Sequence, residues 1–513
     1  MARAAYDCDV LVVGGGLGGC WAAIAAARCG ARVILADKGY VGTSGVTATA
    51  GPGHWWVPPD PPELRHRAIT ERAERGLGLA DPDWMARIID LTWKSLPGLS
   101  RHYAFPTIDG VTHYRGMRGP EYMRAMRAIV IESGVRILDQ SPVEGLLVDA
   151  EGTAAGAFGV HRQRGEAWEV RSGAVVITTG GCAFFSHLLG SRTNTGDGYL
   201  MAAEAGAELS GMEFSAYYTV APARSTMTRS MAYSFARYFD DAGRELDIQP
   251  GPGVNAGLAR AMTRGKVFCK LDRVPQDIQD MMAHVQPNFV IPFDRWGIDP
   301  YRERFEVTLH GEGTVRGVGG LAIIDDNCQT RVPGLFAAGD AATREKIAGA
   351  VSGGGAQNSA WALSSGQWAG QGAARYARHH TTARRVEPAT PVVGTASDVS
   401  VAEVVTAVRD EMETPMKNMF RDEAQLRTSL ERMDSLWSAL QHQRGGWQVR
   451  ELRASVATAR WCLTAALARG ESRGMHVRID RPDIDPAQAH HVIVLGLESI
   501  SVRSDAVQTS QAA

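Results

Sequence analysis

A short apolar run, Val10-Leu-Val-Val13, leads directly into Gly14-Gly-Gly-Leu-Gly-Gly19. Gly14, Gly16 and Gly19 stand at GxGxxG spacing. Glycine is required there for a tight strand-to-helix turn, for close approach of backbone to a pyrophosphate, and for close helix–strand packing. Residues 17–29 are rich in small side chains and read as the helix, with Gly30 as its cap, and residues 32–36 read as a second strand. The helix N-terminus offers free N–H groups and a positive dipole end to phosphates. Asp37 follows Gly19 by 18 residues, at the end of the second strand. A carboxylate there accepts both ribose hydroxyls and repels a 2′-phosphate, which disfavours NADP. The first 40 residues therefore read as a β-α-β dinucleotide site.

Farther along, short strands at 146–148, 156–160, 168–170 and 174–178 alternate with turns, and predict a three-stranded meander plus a strand returning to the parallel sheet. From 211 to 318 the regularity is lost and arginines and aromatics accumulate, as in an inserted domain. Residues 334–340 restore strand-then-glycine character. Residues 379–400 read as a linker, and 401–443 with 448–469 as an antiparallel helical hairpin or part of a small bundle around Gly445-Gly446. No internal repeat is evident.

The chain has 513 residues, a size that calls for two to four structural units. Its net charge of −2 and pI near 6.7 give no electrostatic case for nucleic acid or an anionic membrane. No basic-then-apolar leader opens the sequence, and no apolar run approaches the ~18 residues of a spanning helix. Seven scattered cysteines without a CxxC pair fit buried thiols in a reducing cytoplasm. They also argue against a zinc site or an iron–sulfur cluster held by this chain, so no metal ligands are expected.

Three later signals point to FAD rather than NAD. Ile177-Thr-Thr-Gly-Gly181 makes a second tight turn, Thr195-Gly-Asp197-Gly follows it, and Gly334-Leu-Phe-Ala-Ala-Gly-Asp340 places an acid after a strand. A carboxylate there can hold the ribityl chain or pyrophosphate surroundings. No second complete GxGxxG with a trailing acid exists, so NAD(P)H has no dedicated domain and electrons enter or leave by another route.

From Asp37 onward the chain resembles the flavoprotein subunits of succinate dehydrogenase and fumarate reductase, with L-aspartate oxidase and adenylylsulfate reductase. The resemblance rests on Thr43-Ser44-Gly45, Thr195-Gly-Asp-Gly, Gly211-Met-Glu-Phe214, Gly319-Gly320, Asp326-Asn-Cys-Gln-Thr330, the 334–340 strand and Asn358-Ser359. Its most distinctive piece is Glu471-Ser-Arg-Gly474 with His476, Arg478, Asp480, Pro482 and Asp485. It implies an α/β fold with an α+β cap: a Rossmann-like FAD-binding domain (1–210 and 319–385) interrupted by a capping domain (211–318), then a C-terminal helical domain (400–513). It adds Lys38, Thr43, Ser44, Val143, Asn358 and Ser359 to Gly14, Gly16, Gly19, Asp37, Gly181, Asp197 and Asp340 as cofactor-binding residues. It also implies hydride transfer between flavin N5 and a substrate carbon under the cap.

Five departures from the family pattern matter. The loop 43–46 lacks the histidine that attaches FAD covalently, so non-covalent FAD is expected. The positions that hold a dicarboxylate carry Tyr218, Asn255, Val315 and the glycine run 351–355 instead, so a substrate other than succinate, fumarate or aspartate is expected. The catalytic candidates are Arg260, Arg316, Tyr218 and Trp55, with Trp56, His54, Tyr217 and Arg244 beside them. Arg344 and Lys346 are candidates to neutralise reduced flavin, against a solvent-facing loop as the plain alternative. His310 and His476 are expected to make structural hydrogen bonds. The leading reading is an FAD-dependent dehydrogenase, reductase or oxidase of a small organic molecule, with an unknown electron donor or acceptor. The alternative is an electron-transfer flavoprotein, similar to adenylylsulfate reductase, working with an iron–sulfur or quinone redox partner.

Overall fold

The computed structural model describes residues 4–108, 110–227, 230–251, 253–380, 386–389, 400–441 and 446–507. Strand β1 (Ala4–Val13), helix α1 (Leu17–Arg28) and strand β2 (Val33–Ala36) form the expected unit. The strands run parallel, with Val10 beside Val33 and Val13 beside Ala36. Residues 10–13 are buried on both faces, the normal state of a parallel strand covered by helices. α1 lies against the 26-residue helix Gly354–His379. Glycines make that contact possible. A Cβ at Gly366 would stand 2.5 Å from the Gly18 carbonyl oxygen, and one at Gly370 would stand 2.2 Å from that of Ala22.

The main sheet has eight strands, in the order Glu387–Pro388, Val143–Val148, Ala154–His161, Glu166–Ile177, β1, β2, Arg136–Leu138. Leu335–Ala337 pairs in parallel with the end of Glu166–Ile177. The expected third meander strand and return strand are one continuous strand. Along one edge Glu166–Ile177 follows β1 from Trp168 to Ile177. Along the other it pairs antiparallel with Ala154–His161 and then, from Val175, parallel with Leu335–Ala337. The long strand stays continuous because its partner changes while its own backbone does not bend away.

Residues between 211 and 318 build a separate antiparallel sheet, in the order Tyr218–Pro222, Phe305–Gly311, Val267–Lys270, Arg237–Phe239. Helices Val254–Met262, Gln276–Val285 and Pro287–Trp296 share its own apolar cluster, which includes Tyr238, Leu258, Phe293 and Phe305. Leu209–Ser210 and Gly320–Leu321, just before and after this insertion, pair antiparallel.

The C-terminal third holds helices Val401–Met412, Glu423–Gln441 and Gly446–Ala468, but it is not wholly helical. His490–Leu495 and Ser501–Ala506 form a hairpin whose first strand pairs with Leu209–Ser210. A β-branched run with Val492 and Val494 buried favours that pairing over another helix. Of the expected linker, Glu387–Pro388 pairs with Leu147 and Val148. Residues 381–385 and 390–399 lie outside the described residues, as do Gln443 and Gly445. Among the described residues no helix is long and apolar enough to cross a membrane.

Candidate active site

The glycine loop is shaped by three different constraints. Gly14 has φ +104°, in the region favoured by glycine, and a Cβ there would meet the Thr178 carbonyl at 2.5 Å. A Cβ at Gly19 would stand 1.8 Å from the Gly14 oxygen, so Gly19 is required by packing rather than by ligand contact. Gly16 has nothing within 4 Å of its Cβ position and faces an open cavity. Asp37 fixes the loop from the other side. Its carboxylate accepts from Gly15 N at 2.6 Å, Gly39 N at 2.7 Å and Ser44 Oγ at 2.6 Å.

The cavity measures about 870 Å³. Gly14, Gly16, Asp37, Lys38, Thr43, Ser44, Val143, Asp197, Asp340, Asn358 and Ser359 all line it, so the structure gathers nearly the whole sequence-derived cofactor set. Gly19 and Gly181 do not line it. A Cβ at Gly181 would meet Thr314 Oγ1 at 2.6 Å, and Gly180, at φ +79°, takes the cavity position instead. The sequence reading missed Gln140, Arg162, Trp447, Arg450 and Glu451, which reach the same cavity from distant segments. No local motif marks them; only burial against the loop brings them in.

Lys38 Nζ lies 2.7 Å from Asp197 Oδ2 and 2.8 Å from Glu451 Oε1, and 3.2 Å from Thr195 Oγ1. Burial works against the ammonium, but the two carboxylates outweigh it and raise its pKa. Asn358 presents a buried side-chain amide whose oxygen and nitrogen both lack a hydrogen-bond partner. Buried amides are normally satisfied, so this pair fits a ligand carrying both donors and acceptors. With the open Gly16 surface and the Asp37 carboxylate, the wall suits FAD, and Gly14, Gly16, Asp37, Asp340, Asn358 and Ser359 are residues that would hold it.

Arg344 and Lys346 do not reach the cavity, which corrects their assignment to flavin. Arg344 is fully buried and pairs with Asp340, and it donates to the carbonyls of Val315 at 3.1 Å, Gly317 at 2.5 Å and Thr314. It thereby ties the cavity-facing acid to the segment bearing Arg316. Lys346 lies over the Trp84 ring at 5.0 Å.

Of the catalytic candidates, only Arg316 lines the cavity. Its Nη2 donates to the Tyr217 hydroxyl at 3.3 Å, and its Nε is buried without a partner. Burial opposes its charge, while Tyr217 and Glu312 favour it, and the net pKa is raised. Tyr218 is enclosed with Ala216, Ala259, Met419 and Phe420, so it is a core aromatic rather than a site acid. Burial pushes its phenol above the ordinary range. Arg260 is exposed and lies over Phe420 at 4.6 Å, outside the cavity. Trp55 is buried in the main core, and Trp56 stacks on Trp93 at 4.0 Å. His54 is buried with its pKa pushed down to about 3 by burial. Arg244 is a surface residue, paired with Asp240 at 2.9 Å. His476 is structural as expected, held 2.7 Å from Arg421 Nη1.

The Glu471-Ser-Arg-Gly474 segment carries its charges inward and away from the cavity. Arg469 bridges Glu213 at 2.8 Å and Glu471 at 3.0 Å, and Arg473 meets Glu471 at 2.6 Å. All four are buried, so each charge has a desolvated partner. Among the described residues no cluster of His, Cys, Asp and Glu can hold a metal, and all seven cysteines are free.

A Rossmann-type sheet, a glycine loop with its acid and a cavity that also takes residues from the inserted layer define an FAD-dependent oxidoreductase. The family profile described as FAD binding domain matches residues 9–90 and 88–357, and that described as fumarate reductase flavoprotein C-term matches 408–511. The chain belongs to the succinate dehydrogenase/fumarate reductase flavoprotein family. Among its relatives, one component of the fumarate reductase (CoM/CoB) of Methanothermobacter marburgensis is 24% identical over 95% of this chain and 97% of that one. L-aspartate oxidase of Mycobacterium tuberculosis is 29% identical over 96% of this chain and 95% of that one. In fold, a chain of E. coli quinol fumarate reductase matches with TM-score 0.85 and 20% identity, covering 99% of this chain and 98% of that one. Adenylylsulfate reductase of Archaeoglobus fulgidus matches with TM-score 0.79 and 17% identity, covering 100% and 97%.

Proposed function

We propose that this enzyme exchanges a hydride with a small organic substrate held between its cofactor-binding layer and its antiparallel cap, and that succinate and fumarate are not that substrate. In this reading residues 1–210 and 319–385 carry the cofactor, 211–318 form the cap, and 400–513 brace both. Bound FAD supplies the hydride acceptor or donor at flavin N5. The chain's own groups orient the substrate and exclude water around it. The observation that carries the proposal is the position of Arg316, a cation on the wall of a cavity that receives residues from both layers.

The dicarboxylate positions support the negative half. Tyr218 is in a core, and Asn255 Nδ2 donates to the Tyr218 carbonyl at 2.5 Å, so that amide is spent on the backbone. A dianion closed away from water needs paired cations, since an unpaired buried carboxylate costs several kcal/mol. The test is anaerobic: flavin reduced in the purified protein is mixed with fumarate, and oxidised flavin with succinate. No change in the flavin spectrum is expected, and rapid reoxidation by fumarate would overturn the proposal.

A second reading is an electron-transfer flavoprotein with an iron–sulfur partner. It is favoured by the archaeal relative, whose name makes it one component of a multi-subunit fumarate reductase. Co-purification of the natively expressed protein with a cysteine-rich polypeptide is its test. The free cysteines favour a cytoplasmic location in either case.

A further inference from the structure

Five cations line the cavity among the described residues: Lys38, Arg118, Arg162, Arg316 and Arg450. Three of them form ion pairs, and a fourth, Arg162, donates to a neutral amide. Lys38 is held by Asp197 and Glu451, and Arg450 by Glu204 at 2.5 and 2.6 Å. Arg118 lies 3.3 Å from Glu121, and Arg162 donates to the Gln140 amide. Arg316 differs. Its Nη2 donates to the Tyr217 hydroxyl and the Tyr217 ring lies beside it; Glu312 and Asp340 favour its charge, but no ion pair among the described residues includes it. Its buried Nε–H still lacks an acceptor.

The same cavity takes apolar side chains from the cap. Met227, Met231 and Phe289 line it, and Met231 N and Ser230 Oγ are anchored on Gln286 Oε1 at 3.2 and 3.0 Å. Two thioethers and a phenyl ring make a deformable apolar wall suited to hydrocarbon. No histidine lines the cavity among the described residues. Arg229 lies outside the described residues.

We propose that the substrate is a monoanion with an apolar body: its single carboxylate is received by Arg316, and its hydrocarbon part rests on Met227, Met231 and Phe289. The proposal rests on the reading that substrate binds beneath the cap. One carboxylate supplies the acceptor that the Arg316 Nε–H lacks, and guanidinium geometry suits two parallel hydrogen bonds. A second carboxylate would be desolvated against methionine and phenylalanine.

The test measures binding without turnover. The oxidised, FAD-loaded protein is titrated with trans-2-octenoate, its methyl ester and fumarate, following the perturbation of the visible flavin band. Octenoate is expected to bind at least about tenfold more tightly than either comparator, as a charge-assisted pair commonly does. Arg316→Gln removes that preference, Arg316→Lys retains part of it, and Arg260→Gln leaves it unchanged. Fumarate or the ester binding as tightly as octenoate overturns the proposal. So does an undiminished preference in Arg316→Gln, a preference lost in Arg260→Gln, or failure of all three probes to perturb the flavin. If octenoate binds as expected but reduced flavin passes no hydride to any such acid, the hydride-transfer reading fails while the ligand class stands.

Discussion

The Lys38 ammonium lies 2.8 Å from the Glu451 carboxylate, joining the end of the first β-α-β unit to the helix Gly446–Ala468 across 413 residues of chain. Both residues line the cavity, and Asp197 completes the tie from a third segment. Replacing Glu451 with Ala leaves Lys38 paired with Asp197 alone and loosens the helix over the cofactor. Faster release of FAD on dilution is expected, by about tenfold, the usual scale of one charge-assisted bond. Recovery of free-FAD fluorescence measures it, and an unchanged rate would mean that the helix does not close the cofactor site.

Asp37→Ala and Asp340→Ala should each purify with less flavin than the parent. Asp37 loses three loop-ordering hydrogen bonds, so its effect should be the larger of the two. Asp340→Ala leaves Arg344 buried without its carboxylate, so melting temperature should fall together with occupancy. The ratio of visible to protein absorbance, followed by titration of the apoprotein with FAD, separates affinity from folding. A tenfold to hundredfold loss of affinity is the expected scale, from about 1.5–3 kcal/mol per charged bond. Full occupancy in both variants would show the cofactor to lie elsewhere.

Acid precipitation should release all the yellow chromophore into the supernatant. Thr43, Ser44, Gly45 and Val46, the loop matched to the covalent histidine of the family, line the cavity, and no histidine or cysteine lines it among the described residues. Flavin remaining on the pellet after washing would refute non-covalent binding.

His491 Nδ1 lies 3.0 Å from Glu345 Oε1, pinning the C-terminal hairpin beside the segment that carries Asp340. Burial opposes the His491 charge, but Glu345, with a smaller contribution from Glu213, outweighs burial and Lys346, and its pKa is raised. Burial also works against the Glu345 carboxylate, yet His491 and Arg469 hold its pKa down. The histidine's contribution is complete below its unfolded value of about 6.5 and is lost as pH rises through the raised folded value. The carboxylate's contribution is present above about 4.3 and lost as pH falls through its depressed folded value. His491→Gln should therefore melt furthest below the parent near pH 6, by a few degrees, with the gap narrowing toward alkaline pH. A gap that widens with pH would reverse the assignment.

Much of this enzyme was legible in one dimension because some chemistry is local. A turn that must bend at Gly14, stay bare at Gly16 and let the helix approach at Gly19 leaves few residue choices, and Asp37 has to follow a strand of fixed length. Those requirements identified the fold of the first unit, the cofactor and several of the residues that line the cavity. Sequence reading failed where a residue's role depends on what faces it. Arg260, Arg316 and Tyr218 are equally plausible as letters, but packing sent Tyr218 into a core and Arg260 to the surface, and left Arg316 on the cavity wall. Arg344 looked available and is wholly enclosed. The glycine-rich helix Gly354–His379 contradicts its own propensities, since only contact with α1 makes its glycines an advantage. Local backbone geometry was therefore written in the sequence, whereas burial and charge pairing, which depend on segments hundreds of residues apart, were decided by the tertiary structure alone.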